Sequence, residues 1–151
     1  MTERVDFYVL NSSTPKQRWI FACRLTEKAY LRDLKVVLLG DTPADVEAID
    51  ALLWTFSERS FVPHDIHGSR PPGPCTTSAV QLTQDLDHVG TADLLVNVST
   101  RLPSRLDRFA RIAEIIDADD ERRRLGRDRF KAYRNLKLNV ETHQLDDAAG
   151  A

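Results

Sequence analysis

Apolar positions fall into runs of two lengths along the chain. Val5 to Leu10 is mainly apolar and of strand length. It ends at Asn11-Ser12-Ser13-Thr14-Pro15, punctuation that separates a buried strand from a helix. From Lys16 to Leu31 there is no Gly or Pro, and Phe21, Ala22, Leu25 and Ala29 recur at helical spacing, which predicts the first helix. Lys35 to Gly40 is a short β-branched and leucine run, suited to a parallel strand buried on both faces. Thr42 then reads as an N-cap, Pro43 as the first helical position and Asp45 as an early acid, with Val46, Ile49, Leu52 and Leu53 as the buried stripe of a second helix. Ser60 to His64 reads as a short strand or an extended edge segment, because Pro63 withdraws a ladder donor. The Pro-rich stretch from Gly68 to Pro74 is a loop. Strands are expected at Ala79 to Leu82 and Asp93 to Val98. Leu106, Phe109, Ala110, Ile112, Ala113 and Ile116 mark a third helix, and Asp117-Ala118-Asp119-Asp120 breaks or caps the chain before a basic helix that runs to about Arg134. The last dozen residues read as a frayed end.

Strands that alternate with helices predict an α/β, three-layer domain: a mostly parallel sheet with helices on both faces, Rossmann-like but without a phosphate-binding loop. Residues 1–145 form one domain on this reading and 146–151 a disordered tail. The length of 151 residues suits one domain, and an apolar content of 42% excludes disorder throughout. No apolar run approaches the 18 or so residues of a membrane span. Met1 leads into Thr2, Glu3 and Arg4 rather than a secretory signal, so a cytoplasmic location is expected. The six glycines stand singly at Gly40, Gly68, Gly73, Gly90, Gly126 and Gly150, so no glycine-rich phosphate loop exists. That argues against a nucleotide-dependent enzyme, and no nucleophile motif of the G-x-S-x-G kind appears.

Charge changes the picture more than composition does. The net charge is −2, yet residues 121 to 137 contain eight bases and two acids, which puts +6 on that window and −8 on the remainder. A basic element mounted on an acidic body binds anions locally and repels duplex DNA elsewhere, which favours a small acidic partner such as a peptide tail. Arg123, Arg127, Lys131 and Arg134 stack on one helical face beside Phe130. Like charges at this spacing cost roughly 0.2–0.5 kcal/mol per pair, so an anionic partner accounts for the stripe better than stability does. A plain solvated basic face is the alternative. Arginine forks beside an aromatic ring suit a terminal carboxylate carried with an apolar side chain.

Other candidates have simpler readings. His64 and His67, with Asp65 between them and Cys75 or His88 as a third ligand, have a spacing compatible with a metal, but such a pair beside Pro63 and Gly68 reads first as loop structure. No metal and no cofactor are expected. Cys23 lies mid-helix in apolar surroundings and reads as a small buried hydrophobe; the two cysteines, Cys23 and Cys75, make no disulfide framework. Asp117, Asp119 and Asp120 read as helix-capping acids rather than an acid–base pair. Trp54, Phe56 and Phe61 crowd the end of the second helix, and the pattern leaves core and protein interface equally open.

Three segments taken together carry a family resemblance. Val5-Asp6-Phe7-Tyr8, then Leu53-Trp54 with Ser60-Phe61-Val62-Pro63-His64, then Arg129-Phe130-Lys131-Ala132-Tyr133-Arg134, in this order, resemble the chi subunits of bacterial DNA polymerase III from about residue 4 to 145. The resemblance implies a non-catalytic α/β adaptor. Such an adaptor joins the clamp loader through the psi subunit and binds the acidic C-terminal tail of single-stranded-DNA-binding protein. It implies a tail pocket of Arg123 and Arg127, with Lys131 beside them and Phe130 and Ile116 as the apolar wall. It also implies a psi-facing surface centred on Trp54 and Phe61, at which a helicase competes with psi in some members. The chain departs from the family in having Asn135-Leu136-Lys137-Leu138 where many relatives have a glycine and an aromatic, and Phe130 where relatives carry tyrosine. The alternative function is a single-stranded nucleic-acid-binding module that uses the basic helix directly.

Overall fold

The computed structural model describes residues 2–11, 14–55, 64–66, 80–84, 86, 91–103 and 106–145. Seven strands form one sheet: β1 (Arg4–Leu10), β2 (Val36–Leu39), β3 (His64–Ile66), β4 (Val80–Thr83), β5 (Ala92–Asn97), β6 (Phe109–Ile116) and β7 (Asn139–Leu145). Their order is β3-β4-β2-β5-β6-β1-β7, and every neighbouring pair is parallel. The helices are α1 (Pro15–Tyr30), α2 (Pro43–Thr55) and α3 (Asp120–Asn135).

The inner strands are buried on both faces, which is why their sequences read as apolar runs rather than alternations. Leu38, Val96 and Ile115 join Ala22 and Cys23 of α1 and Ile49 and Leu53 of α2 in one core. Val37, Leu39, Leu95, Ile112 and Ile116 face the other way, and the same core takes in Tyr133 of α3. The sheet is thus sandwiched, with α1 and α2 on one side and α3 on the other. Thr42 caps α2 as its sequence implies, its Oγ1 accepting from the Asp45 N–H at 3.1 Å. Cys23 is fully buried, and burial pushes its thiol up to about 12, which suits a packing residue and not a nucleophile.

Two expected elements are different in the structure. The helix expected over Leu106 to Ile116 is a single 3-10 turn, Leu106–Arg108, followed by β6, which pairs with β5 and β1 at the centre of the sheet. From Ile112 to Ile116 every residue is buried. A strand filled on both faces satisfies any spacing template, and the β-branched Ile112, Ile115 and Ile116 suit a strand. The frayed end expected from about residue 140 is instead edge strand β7 as far as Leu145. Its residues are mostly polar, so no apolar alternation marks it, and the backbone ladder to β1 is what holds it. The departure at Asn135-Leu136-Lys137-Leu138 is the turn into this strand: Lys137 takes φ 63°, and its N–H donates to the Arg134 carbonyl at 2.9 Å.

Residues 146–151 and the segment from Phe56 to Pro63 lie outside the described residues, as do His67, Cys75 and His88. Of the segment expected as an edge strand, His64 opens β3. Among the described residues no helix is long and apolar enough to cross a membrane.

Candidate functional site

Helix α3 is where the unusual charge lies, and its anchoring comes first. Asp119 caps it, accepting the Arg122 N–H at 2.9 Å. Asp117 is fully buried and grips Arg122 with both oxygens, at 2.8 Å to Nε and 2.7 Å to Nη2. One helical side is set by Glu114 of β6, which is wholly buried yet hydrogen-bonded throughout. It accepts from Asn97 Nδ2 at 3.0 and 2.9 Å, from Arg129 Nε at 3.0 Å and from the Tyr133 hydroxyl at 2.5 Å. Burial pushes the Glu114 carboxyl up, against the pull of Arg129, Tyr133 and Asn97. Burial and the neighbouring carboxylate also push the Tyr133 phenol up, keeping it a hydroxyl donor. Arg129 completes its bonding with the Thr100 carbonyl at 3.0 Å.

This anchoring sorts the seven bases of the run that lie on α3. Arg122 is neutralised by Asp117, Arg129 by Glu114, and Arg124 by Glu121 and Asp128. Arg123 is held by neutral acceptors only, its Nε donating to the Asp117 carbonyl at 3.1 Å and its Nη2 to the Leu10 carbonyl at 3.4 Å. Arg127 and Lys131 make no hydrogen bond or ion pair among the described residues. Arg134 lies over the Phe130 ring, 5.8 Å from its centre. Uncompensated cations therefore line up on one face of α3.

That face borders a groove of about 260 Å³. Its floor is the α3-facing side of three strands: Ile116 of β6, Phe7 and Val9 of β1, and Thr142 and Gln144 of β7. Arg123, Gly126, Arg127 and Phe130 of α3 form its wall. Phe7 and Phe130 meet edge to face with ring centres 5.3 Å apart, so the base of the groove is an aromatic surface. Cations at the mouth and rings at the base make a surface that takes a carboxylate and an apolar side chain together.

Four of the residues singled out from sequence, Ile116, Arg123, Arg127 and Phe130, come together here, while Lys131 stands exposed on α3 one turn beyond Arg127 and outside the lining. Trp54 falls within α2, but its side chain and all of Phe61 lie outside the described residues. Sequence reading misses Phe7, Val9, Thr142 and Gln144 as lining residues, because β7 carries no strand signal and the facing of β1 depends on where α3 docks. Gly126 does leave a signal: a lone glycine inside a helical run marks close approach. A Cβ at Gly126 would lie 2.3 Å from Ile116 Cδ1 and 3.2 Å from its Cγ1. The Gly126→Ala variant is expected to swing Ile116 into the groove. The helix gains roughly 1 kcal/mol in propensity, which offsets part of the repacking cost. Ligand affinity falls by about tenfold, since overfilling a packed site costs about 1–3 kcal/mol. Paired calorimetry and thermal melts check this; a groove ligand bound as tightly as by wild type refutes it.

At the carboxyl edge of the sheet, where doubly wound folds bind nucleotides, two arginines bond to backbone carbonyls of this chain. Arg101 donates from Nη2 to the Gly40 carbonyl at 3.0 Å and the Gln84 carbonyl at 2.8 Å, and Arg18, buried, donates to the Val98 carbonyl at 2.8 Å. Among the described residues, Asp6, Glu141 and His143 bring ligand atoms within 4.8 Å of one another. The Asp6 oxygens, however, already accept from Arg4 at 2.8 Å and Arg111 at 3.2 Å and meet His143 Nε2 at 3.0 Å. Burial pushes the Asp6 carboxyl up, but these bonds outweigh it and hold it below the ordinary range, as in an ion-pair network.

The chain resembles known proteins over nearly its whole length. The family described as DNA polymerase III chi subunit, HolC, matches residues 1–141. The DNA polymerase III subunit chi of Pseudomonas aeruginosa is 32% identical over 142 residues, covering 94% of this chain and 96% of that one. The corresponding subunits of Haemophilus influenzae and Escherichia coli are 25% and 23% identical, over 96% and 93% of this chain and 99% and 97% of theirs. In fold, the chain is similar to the crystal structure of T4 UvsW, with a TM-score of 0.64 at 10% identity, over 96% of this chain and 42% of that one. The chain belongs to the DNA polymerase III chi subunit family, and is therefore an accessory subunit of the replicative polymerase.

Proposed function

We propose that this subunit is a non-catalytic adaptor that links the clamp loader, through psi, to the acidic C-terminal tail of single-stranded-DNA-binding protein during replication. The observation that carries the reading is the groove, in which Arg127, without a partner among the described residues, and the carbonyl-held Arg123 stand beside an apolar surface of Phe7, Ile116 and Phe130. A peptide terminus supplies both halves of the match, a carboxylate for the arginines and an apolar side chain for the rings. The test is calorimetric titration with an acidic peptide ending in phenylalanine, against its amidated form. Tight binding that amidation abolishes supports the adaptor. Equal binding of the two forms, or preference for naked single strands with a steep salt slope, supports the nucleic-acid reading instead.

The psi-facing side is assigned to Trp54 and Phe61 on the family resemblance, with a helicase as the competing partner at the same surface. Phe61→Ala is expected to lose co-purification with psi while keeping tail binding. Psi recovered at wild-type yield removes that assignment.

A further inference from the structure

The groove lies at one end of the sheet, beside a strand edge that no described residue covers. Among the described residues β7 is the last strand of the sheet and pairs with β1 alone, from Asn139 opposite Arg4 to Leu145 opposite Leu10. Among the described residues, nothing pairs with its outer edge, so backbone N–H and C=O groups are presented there along a strand of seven residues, roughly 23 Å. Two residues that commonly blunt such edges are absent, since β7 contains no proline and no lysine. Its one acidic side chain, Glu141, is engaged by Arg4 at 2.5 Å, on the opposite sheet face from the groove-lining Thr142 and Gln144. Beside this edge runs the cationic face of α3, from Arg123 to Arg134, over roughly 16 Å.

We infer that the residues preceding the captured terminus of an acidic peptide add to β7 as an eighth, parallel strand. The inference rests on the groove reading and specifies how the rest of the ligand is held. Direction follows from the position of the arginines. Arg123 reaches the Leu10 carbonyl at the carboxyl end of β1, so a terminus held there lies beside the end of β7. The chain leading to that terminus lies back along the edge toward Asn139 and so runs in the same sense as β7. Side chains on the α3 face of the added strand then meet Arg127, Lys131 and Arg134, which selects Asp or Glu at alternate positions. Backbone bonds along β7 hold the strand whatever its sequence, and the cationic face sets the preference for acids.

The test leaves the protein unchanged. A nine-residue aspartate-rich peptide ending in phenylalanine is N-methylated at one backbone amide at a time and titrated by calorimetry. Methylation at alternate positions is expected to weaken binding tenfold or more, with the intervening positions within about twofold. Amide exchange in the complex is expected to slow at alternate residues of 139–145. If all methylated peptides bind like the parent, or if β7 amides exchange at their free rate in the complex, the strand addition is overturned and the groove reading stands. Failure of the parent peptide itself to bind removes both.

Discussion

Glu114→Ala is expected to lower the stability of the protein by about 3–5 kcal/mol, the range measured when one partner of a buried ion pair is deleted. The magnitude follows from what is left behind. Glu114 is fully buried, and its side-chain partners are all donors: Arg129, Tyr133 and Asn97. With the carboxylate removed, the Arg129 guanidinium stays buried with the Thr100 carbonyl as its one remaining acceptor among the described residues, and the Tyr133 hydroxyl loses its acceptor at a fully buried position. Urea denaturation gives the number. Glu114→Gln retains one acceptor oxygen and is expected to lose less, and pairing Glu114→Leu with Arg129→Met is expected to recover much of the loss, because both charges then leave the core together. A midpoint for Glu114→Ala within about 0.5 kcal/mol of wild type, the level of an ordinary surface change, shows that the network carries no stability.

Arg127→Ala is expected to act in the opposite way, leaving folding untouched and weakening the acidic peptide by roughly 1.5–3 kcal/mol, the worth of a hydrogen bond to a charged group. Arg127 is exposed and has no partner among the described residues, so its removal breaks nothing in the free protein. Arg123→Ala is less clean, since Arg123 also ties α3 to the carbonyls of Asp117 and Leu10. Melting curves separate the two variants, and calorimetry measures the loss. Unchanged affinity in Arg127→Ala would take the carboxylate away from this groove. The same substitution reports on the nucleic-acid reading, because removing a phosphate contact lowers the salt slope by about one charge.

Much of this protein is legible in its linear sequence. β1, β2, β4 and β5 can be read because inner parallel strands are apolar on both faces. α1 is legible as an unbroken run with an apolar stripe after Pro15, and α2 because cap, proline and stripe agree over Thr42 to Leu53. The concentration of charge in residues 121–137, and with it the search for an anionic ligand, is also a property of the sequence alone. Three things are decided only by tertiary contact. β6 carries a glutamate whose burial is tolerable because Asn97 of β5 donates to it and Arg129 and Tyr133 arrive from α3 fifteen and nineteen residues later. β7 buries too little to show a period and is a strand because β1 offers it a ladder. And of eight bases that look alike in sequence, Arg124 pairs with Glu121 and Asp128 inside α3, but Arg129 finds Glu114 of β6 while Arg127 and Lys131 have no partner among the described residues, since which cation meets a carboxylate of the sheet depends on the azimuth at which α3 settles on it.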